Sequence, residues 1–169
     1  MELTTDQKGA IAESRVAAAA IELGIGVSRP VSPLRYDLVF DLGDRLARVQ
    51  CKWASRNGSV VVIRCRTSRR GPNGYIKTDY RASEIDLIAA YCGDLDVCYL
   101  LPIERFDGRS AIQLRLTTAR NNQHQLVNWA AEYRLGATLK RLGAVAQLGE
   151  RCHGMAEVRG SIPLGSMTL

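Results

Sequence analysis

Asp37, Gln50 and Lys52 are the residues whose types and spacing suit a chemical reaction. Gln50 and Lys52 lie two positions apart in the apolar stretch RLARVQCKWA, and side chains two apart on a β-strand point to the same face. Asp37 lies near the start of the preceding apolar stretch, and a Gly43-Asp44 turn would join the two stretches as a hairpin. The pattern therefore predicts that a carboxylate, an amide and an ammonium group converge.

Such a trio suits Mg²⁺-dependent hydrolysis of a phosphodiester bond. Mg²⁺ prefers oxygen ligands and is usually held by one or two carboxylates, with waters and substrate phosphate. The metal can supply a hydroxide-like nucleophile, and a nearby ammonium can orient the water and stabilise developing negative charge. Two other interpretations stay open: Asp37 could be a hydrogen-bond acceptor at the end of the hairpin, and Gln50 and Lys52 could be the solvated face of an edge strand.

The elements around these residues predict an α/β domain, bordering on α+β, with a mixed central sheet flanked by helices. Thr4 with Gln7 fits a capping box, and apolar residues then recur at helical spacing as far as Leu23. Further helices are predicted over 83–92 and 124–142, and a loop over 68–82. Strands are predicted over 35–43, 45–54, 59–67, 97–103 and 110–116, the last as an edge strand.

The pair Tyr36-Asp37, followed by Gln50-Cys51-Lys52, resembles the core motif of the PD-(D/E)xK nuclease superfamily. More specifically it resembles the branch with glutamine in the second acidic position, which includes an intron-associated homing endonuclease of a cyanobacterial tRNA gene. The resemblance extends over residues 6–105, from the KGAIAE helix start to the SEIDLIAAY and VCYLLPI block. It implies a restriction-endonuclease-like core and a metal-dependent endodeoxyribonuclease.

The resemblance gives roles to five positions. Asp37 would be the main metal ligand, Gln50 would take the second ligand position, and the Cys51 backbone carbonyl could add an oxygen. Lys52 would position the attacking water. Glu13 would match the helix carboxylate that completes the site in many members. The implied catalytic residues are Asp37, Gln50, Lys52 and Glu13, the implied metal ligands are Asp37, Gln50, Cys51 and Glu13, and the implied cofactor is Mg²⁺.

Two positions depart from the family pattern. Tyr36 replaces the proline of the motif, which is a mild change. Gln50 replaces the acid and removes a negative charge, so metal affinity should weaken unless Glu13 compensates.

Positive charge is concentrated after the Gln50-Cys51-Lys52 motif. The chain carries a net charge of +6, and between Trp53 and Arg81 seven basic residues accompany a single acid, Asp79. The basic residues are Arg56, Arg64, Arg66, Arg69, Arg70, Lys77 and Arg81. A local excess of this kind favours a polyanion partner, here double-stranded DNA, although a solvated loop is the alternative. Arg64 and Arg66, on one face of the predicted strand, could contact phosphates or guanines.

Composition excludes several other classes of protein. The five cysteines are scattered without a CxxC pair, and there are two histidines, so a disulfide framework, a zinc site or a histidine-rich metal site is not expected. No organic cofactor is expected. The N-terminus lacks the features of a signal peptide and no apolar run is long enough to cross a bilayer, so we expect a soluble, cytoplasmic protein of bacterial or phage type without a membrane partner.

The C-terminal segment differs from the rest of the chain. We expect a nuclease domain over 1–142 and an irregular tail over 143–169, which has glycines and a proline throughout and no periodicity. Within the tail, VAQLGER and GSIP resemble the conceptual translation of the two conserved arms of a tRNA gene. The tail is therefore interpreted as the product of a reading frame that runs into such a gene.

The function predicted from the sequence is a Mg²⁺-dependent homing endonuclease that cuts both strands of DNA. Cutting both strands needs two active sites, so a homodimer or homotetramer is expected. Three alternatives stay open. They are a Holliday-junction resolvase or repair nuclease with the same core, a DNA-binding module on a catalytically decayed nuclease fold, and an adaptor protein whose basic loop is merely solvated.

Overall fold

The computed structural model describes residues 2–71, 74–118 and 127–144 of the chain. Helix α1 spans Thr5–Glu22 and is followed by the strands β1 Gly26–Ser28, β2 Leu38–Asp41, β3 Leu46–Asn57, β4 Val60–Arg64, β5 Arg66–Gly71, β6 Gly74–Asp79, β7 Leu87–Cys92, β8 Val97–Pro102 and β9 Ala111–Arg115. Short 3₁₀ helices span Ile103–Arg105 and Ala130–Tyr133, and helix α2 spans Leu135–Arg141. No helix in these residues is long and apolar enough to span a membrane.

Helix α1 has the boundaries that its sequence predicts. The Thr4 side chain accepts a hydrogen bond from the Gln7 backbone N–H, and the Thr4 backbone N–H donates to the Gln7 side chain, which completes the capping box. Gly24 follows the helix with a φ of +82°, a conformation that favours glycine. The buried residues of α1 are Ala12, Val16 and Ala20. Their small side chains let the helix approach the sheet closely.

Strand β3 is the central strand of a seven-stranded mixed sheet within the described residues. It pairs antiparallel with β2 and β4 and parallel with β7, which continues the sheet to β8. The remaining two strands, β1 and β9, pair with β2 and β4 respectively. The sequence prediction that β3 is central and that residues 110–116 contain an edge strand is confirmed in this part of the chain.

The pairing of β3 leaves a gap along one side of the strand. Val49 is the last residue of β3 that pairs with β2, and Ala54 is the first that pairs with β4. Both residues also pair with β7, so β2 and β4 lie one after the other on the opposite side of β3. Residues 50–53 therefore lie between the two partner strands, which places Gln50 to Trp53 at a fork in the sheet.

The sheet is covered on both faces by buried apolar residues. Helices α1 and α2 pack with β2, β3 and β7 in one cluster, which includes Phe40 and Leu139. A second cluster includes Ile63, Tyr99 and Tyr133 and covers the region of β4 and β9. This double burial fixes the position of β3 and hence of the fork.

Residues 87–92, within the segment 83–92 where a helix is predicted, form strand β7. All six residues of β7 are buried, and a short apolar run of this length is compatible with either a buried strand or a helix. Parallel pairing with β3 selects the strand. Asp86, expected to cap a helix with Ser83, instead forms an ion pair with Arg48 at 2.9 Å.

Three further local predictions are corrected. The strand predicted over 59–67 is interrupted at Cys65, so Arg64 belongs to β4 of the large sheet and Arg66 to β5 of a separate two-stranded sheet. The loop predicted over 68–82 contains β6, which pairs with β5. The helix predicted over 124–142 lies partly outside the described residues, and Trp129 forms a bridge with Arg115 before the short helix α2.

Candidate active site

Asp37 lies at the fork beside β3. It directly precedes β2, and its backbone N–H donates to the Val49 carbonyl at 2.9 Å, which extends the hairpin by one residue. Its Oδ2 atom accepts a hydrogen bond from the Cys51 backbone N–H at 2.8 Å and a second, short one from Gln50 Nε2. The hairpin thus holds the carboxylate against the part of β3 that lies between β2 and β4.

Gln50 is buried, with 7% of its surface exposed, and its amide joins two oxygen atoms. The Nε2 atom donates to Asp37 Oδ2 and, at 3.1 Å, to the Cys51 carbonyl. Because both oxygens contact the same nitrogen, they lie within hydrogen-bond reach of a single point. The structure therefore brings together Asp37, Gln50 and the Cys51 backbone, as the sequence predicts.

Lys52 lies two residues further along β3 and is partly buried. Its Nζ atom donates a hydrogen bond to the Tyr80 hydroxyl at 2.9 Å. Burial lowers the pKa of Lys52, and the negative charge of Asp37 opposes that effect. The Lys52 ammonium and the Asp37 carboxylate are therefore close enough for their charges to interact.

Glu13 reaches this region from helix α1. Its carboxylate accepts a hydrogen bond from Arg29 at 2.8 Å, and both residues line a surface pocket of about 320 Å³ together with Asp37 and the segment 30–34. Burial raises the pKa of Asp37, the Cys51 N–H opposes this, and the charge of Glu13 raises it further. Two carboxylates therefore face one pocket.

The groups around the fork that could hold a metal ion are oxygen donors. In the described ranges, no three His, Cys, Asp or Glu side chains form a metal-binding group. The donors here are instead two carboxylates, Asp37 and Glu13, with the Gln50 amide and the Cys51 carbonyl. These are the donors that remain when Gln50 takes the place of the second acid of the motif. Oxygen donors suit a hard cation such as Mg²⁺.

Tyr80 and Arg35 contact the candidate site and were not predicted from the sequence. The Arg35 guanidinium lies 4.5 Å from the centre of the Tyr80 ring and donates to both carboxylate oxygens of Glu84, at 3.0 and 3.1 Å. It also donates to Thr67 and to the Asp79 carbonyl, both at 3.1 Å. These residues come from separate segments that only the folded chain brings together, so no local spacing indicates them.

The predicted DNA-binding residues are distributed over two sheets. Arg64 is exposed at the end of β4, and Arg56 donates to the Gly58 carbonyl at the β3–β4 turn. Arg66 is exposed and ion-paired with Asp79 at 2.6 Å. Arg81 is exposed after β6. The backbones of Arg69 and Arg70 belong to β5 and that of Lys77 to β6, but the structure does not describe the side chains of these three residues.

Comparison with known proteins agrees with this geometry. Residues 3–136 match the family model of the PD-(D/E)XK endonucleases. The chain therefore belongs to the PD-(D/E)XK endonuclease family, and its α+β fold has the restriction-endonuclease-like core that the motif predicts.

One solved structure similar to this chain is that of a bacterial homing endonuclease, I-Ssp6803I. The two share 29% sequence identity and a TM-score of 0.66 over 86% of this chain and 98% of the other. This similarity is consistent with the predicted glutamine-containing branch. A comparison with curated proteins gave no match.

Proposed function

We propose that the protein is a Mg²⁺-dependent endonuclease of the homing type that hydrolyses phosphodiester bonds in double-stranded DNA. The observation that carries the proposal is the meeting of Asp37, Gln50 and the Cys51 backbone at the fork of the sheet, with Lys52 beside them, in a member of an endonuclease family. The homing type is supported by the similarity to I-Ssp6803I.

The chemistry of the donor set fits Mg²⁺. Asp37 and Glu13 face one pocket, and a cation between them would oppose the burial and the Glu13 charge that raise the pKa of Asp37. Gln50 presents its nitrogen to Asp37 and Cys51, and rotation of the terminal amide would present its oxygen instead. Mg²⁺ held there would supply positive charge at the scissile phosphate and acidify the attacking water.

The side chains of the protein would do the remaining work. The Lys52 ammonium would orient the attacking water and stabilise the negative charge that develops on the phosphate. Glu13 is paired with Arg29 through one carboxylate oxygen, so a metal at this site would compete with Arg29 for the charge of Glu13. DNA phosphate is a competing partner for Arg29, because guanidinium groups bind phosphate readily.

Basic residues on β3, β4 and the β5–β6 hairpin are proposed to bind the DNA backbone. A two-stranded ribbon is narrow enough for the major groove, and Arg64 and Arg66 are exposed near its base. The proposed contacts are Arg56, Arg64, Arg66, Arg69, Arg70, Lys77 and Arg81. In a salt titration of DNA affinity, Arg64→Gln should lower the slope by about 0.9 if it removes one phosphate contact. Lys8→Gln, near the start of α1, should leave the slope unchanged.

Plasmid cleavage tests the proposed activity. We expect the wild type to nick and linearise supercoiled plasmid with Mg²⁺ and to be inactive with EDTA. Asp37→Asn and Lys52→Ala should each lower the rate by about 100-fold or more. Asp44→Asn, in the β2–β3 turn, and Lys140→Ala, in the last turn of α2, are matched controls and should cut like the wild type.

The outcomes of this experiment separate the alternatives. Undiminished cutting by both Asp37→Asn and Lys52→Ala would show that the site is elsewhere. Tight DNA binding without cleavage by the wild type would identify a decayed DNA-binding module. Preferential cutting of four-way junctions over linear targets would identify a resolvase, and cutting only at lesions would identify a repair nuclease.

The assembly and the tail are also proposals. We propose a homodimer or homotetramer, because cutting both strands needs two active sites. Light scattering that gives the mass of one 18.6 kDa chain on target DNA would contradict this.

We propose that the tail over 143–169 is encoded by an overlapping tRNA gene. Ala144 is buried in the core, and residues 145–169 lie outside the described residues. Codons that do not spell the two tRNA arms would end this interpretation.

A further inference from the structure

Tyr80 is a buried tyrosine directly after the β5–β6 hairpin, with 1% of its surface exposed. A buried phenol usually places its hydroxyl against a polar partner, and here the partner is the Lys52 ammonium at 2.9 Å. The Nζ atom also lies over the ring, 4.7 Å from its centre. The ammonium therefore contacts both the hydroxyl and the ring of Tyr80.

The ring of Tyr80 is itself held in place. Arg35 stacks on the ring and forms a bidentate pair with Glu84. The same guanidinium donates to Thr67 of β5 and to the carbonyl of Asp79, the last residue of β6. Tyr80 is thus fixed between the core and the base of the hairpin, so its hydroxyl has a defined position.

Lys52 needs such a fixed partner. A lysine side chain has many rotamers, and restricting them costs conformational entropy. The Oδ2 atom of Asp37 already accepts hydrogen bonds from Gln50 and Cys51. Within the described residues, the Tyr80 hydroxyl is the hydrogen-bond acceptor for the Lys52 ammonium.

We propose that Tyr80 is a positioning residue that holds the Lys52 ammonium in the orientation needed for phosphodiester hydrolysis. The inference rests on the proposed function, because it gives Lys52 a role in the reaction. It also links the hairpin proposed to bind DNA with the lysine proposed to act in catalysis, since Arg35 joins the base of that hairpin to Tyr80. Tyr80 itself touches no substrate in this scheme.

The test is Tyr80→Phe, which removes the hydroxyl and retains the ring that Arg35 contacts. The matched control is Tyr133→Phe, since Tyr133 is also buried and its hydroxyl donates to Asn128. Affinity is measured with Ca²⁺ in place of Mg²⁺ on the plasmid that the wild type cuts, and the single-turnover rate is measured with Mg²⁺ at saturating DNA. Tyr80→Phe should lower the rate by roughly 10- to 100-fold, the range for a hydrogen bond to a charged group.

The affinity of Tyr80→Phe for DNA should stay within about twofold of the wild-type value, because positioning acts on the chemical step. Tyr133→Phe should change neither quantity. A rate for Tyr80→Phe equal to the wild-type rate, or a loss explained by weaker DNA binding, would overturn the proposal. So would an equal loss in Tyr133→Phe, which would indicate a general effect on folding.

A second measurement does not depend on cleavage. The chain has four lysines, Lys8, Lys52, Lys77 and Lys140, so a ¹H–¹⁵N spectrum of the ammonium groups is simple to assign. A protected Lys52 signal should be present in the wild type and lost in Tyr80→Phe, with the other three unchanged. An unchanged Lys52 signal would refute the contact. Absence of cleavage by the wild type would refute the proposed function, whereas this spectrum would still decide whether Tyr80 holds Lys52.

Discussion

Gln50→Glu restores the acid that the family name records at this position and removes the amide that joins Asp37 to the Cys51 carbonyl. In the wild type, these oxygens are separated by the neutral amide of Gln50, a residue that is 7% exposed. In the variant, a third carboxylate would join Asp37 and Glu13 without a donor between them. We expect the variant to be destabilised without metal and to respond more strongly to Mg²⁺.

The magnitude follows from the contacts that are lost. A hydrogen bond to a charged group contributes about 1.5–3 kcal/mol, and one to a neutral carbonyl about 1 kcal/mol. Repulsion between adjacent carboxylates adds to the cost of the lost hydrogen bonds. Protonation of the new carboxyl would remove the repulsion, and the free energy of that protonation at pH 7 limits the extra cost to about 4 kcal/mol. A loss of about 2.5–4 kcal/mol from the hydrogen bonds, and up to about 8 kcal/mol with the repulsion, is therefore expected in EDTA, or a fall in Tm of roughly 5–30 °C.

The assay is thermal unfolding in EDTA and in excess MgCl₂. A ligand that binds only the folded state stabilises it by RT ln(1 + [L]/Kd), so the carboxylate that strengthens metal binding should give the variant the larger Mg²⁺-dependent rise in Tm. The matched control is Gln113→Glu on β9, where the side chain is exposed. It should behave like the wild type in both buffers.

Two results would refute this reasoning. A Gln50→Glu variant as stable as the wild type in EDTA would show that the Gln50 amide does not hold Asp37 and Cys51 together. A Mg²⁺-dependent rise in Tm equal to that of the wild type would show that Gln50 does not lie next to the metal.

Further predictions concern stability away from the site. Arg48 lowers the pKa of Asp86, so this pair stabilises the fold above the ordinary value of 3.8 and loses that effect as pH falls through the lowered pKa. Asp86→Asn should therefore cost roughly 1 kcal/mol at pH 7, and its difference from the wild type in denaturant unfolding should disappear as pH falls below 3.8. In Gly93→Ala the new Cβ would lie 2.6 Å from the Trp53 ring, so unfolding should show a loss of about 1–3 kcal/mol. Gly9→Ala, with nothing within 4 Å, should raise stability by about 0.5–1 kcal/mol through helix propensity. Equal effects of the two glycine substitutions would contradict this account.

The elements predicted correctly are those specified by neighbouring residues. The Thr4–Gln7 capping box defines the start of α1, and the Gly43-Asp44 turn places β2 against β3. The segments predicted wrongly depend on distant partners. Residues 83–92 carry a helix-like start, but β3 provides a parallel partner and Arg48 binds Asp86. Such contacts leave no mark in local periodicity.

The candidate site shows the same difference between contacts within one hairpin and contacts with distant segments. Asp37, Gln50 and Cys51 meet because one hairpin carries all three, and the sequence shows that hairpin. The gap between β2 and β4 is not visible in the sequence, since it depends on where each pairing with β3 stops. Nor is the contact between Lys52 and Tyr80, because Lys52 lies in β3 and Tyr80 follows β6, 28 positions later.

The parallel pairing of β3 with β7 has a consequence for synthesis on the ribosome. Strands β2, β3 and β4 are consecutive and can pair as soon as they emerge, whereas Arg48 must wait for Asp86, 38 positions later. Closing such a long segment is entropically costly and tends to occur late in folding. A chain that terminates before β7 would contain Glu13, Asp37 and Lys52 but lack one side of the strand that aligns them. Unfinished translation products would then lack the proposed cutting activity, which would limit unintended damage to DNA.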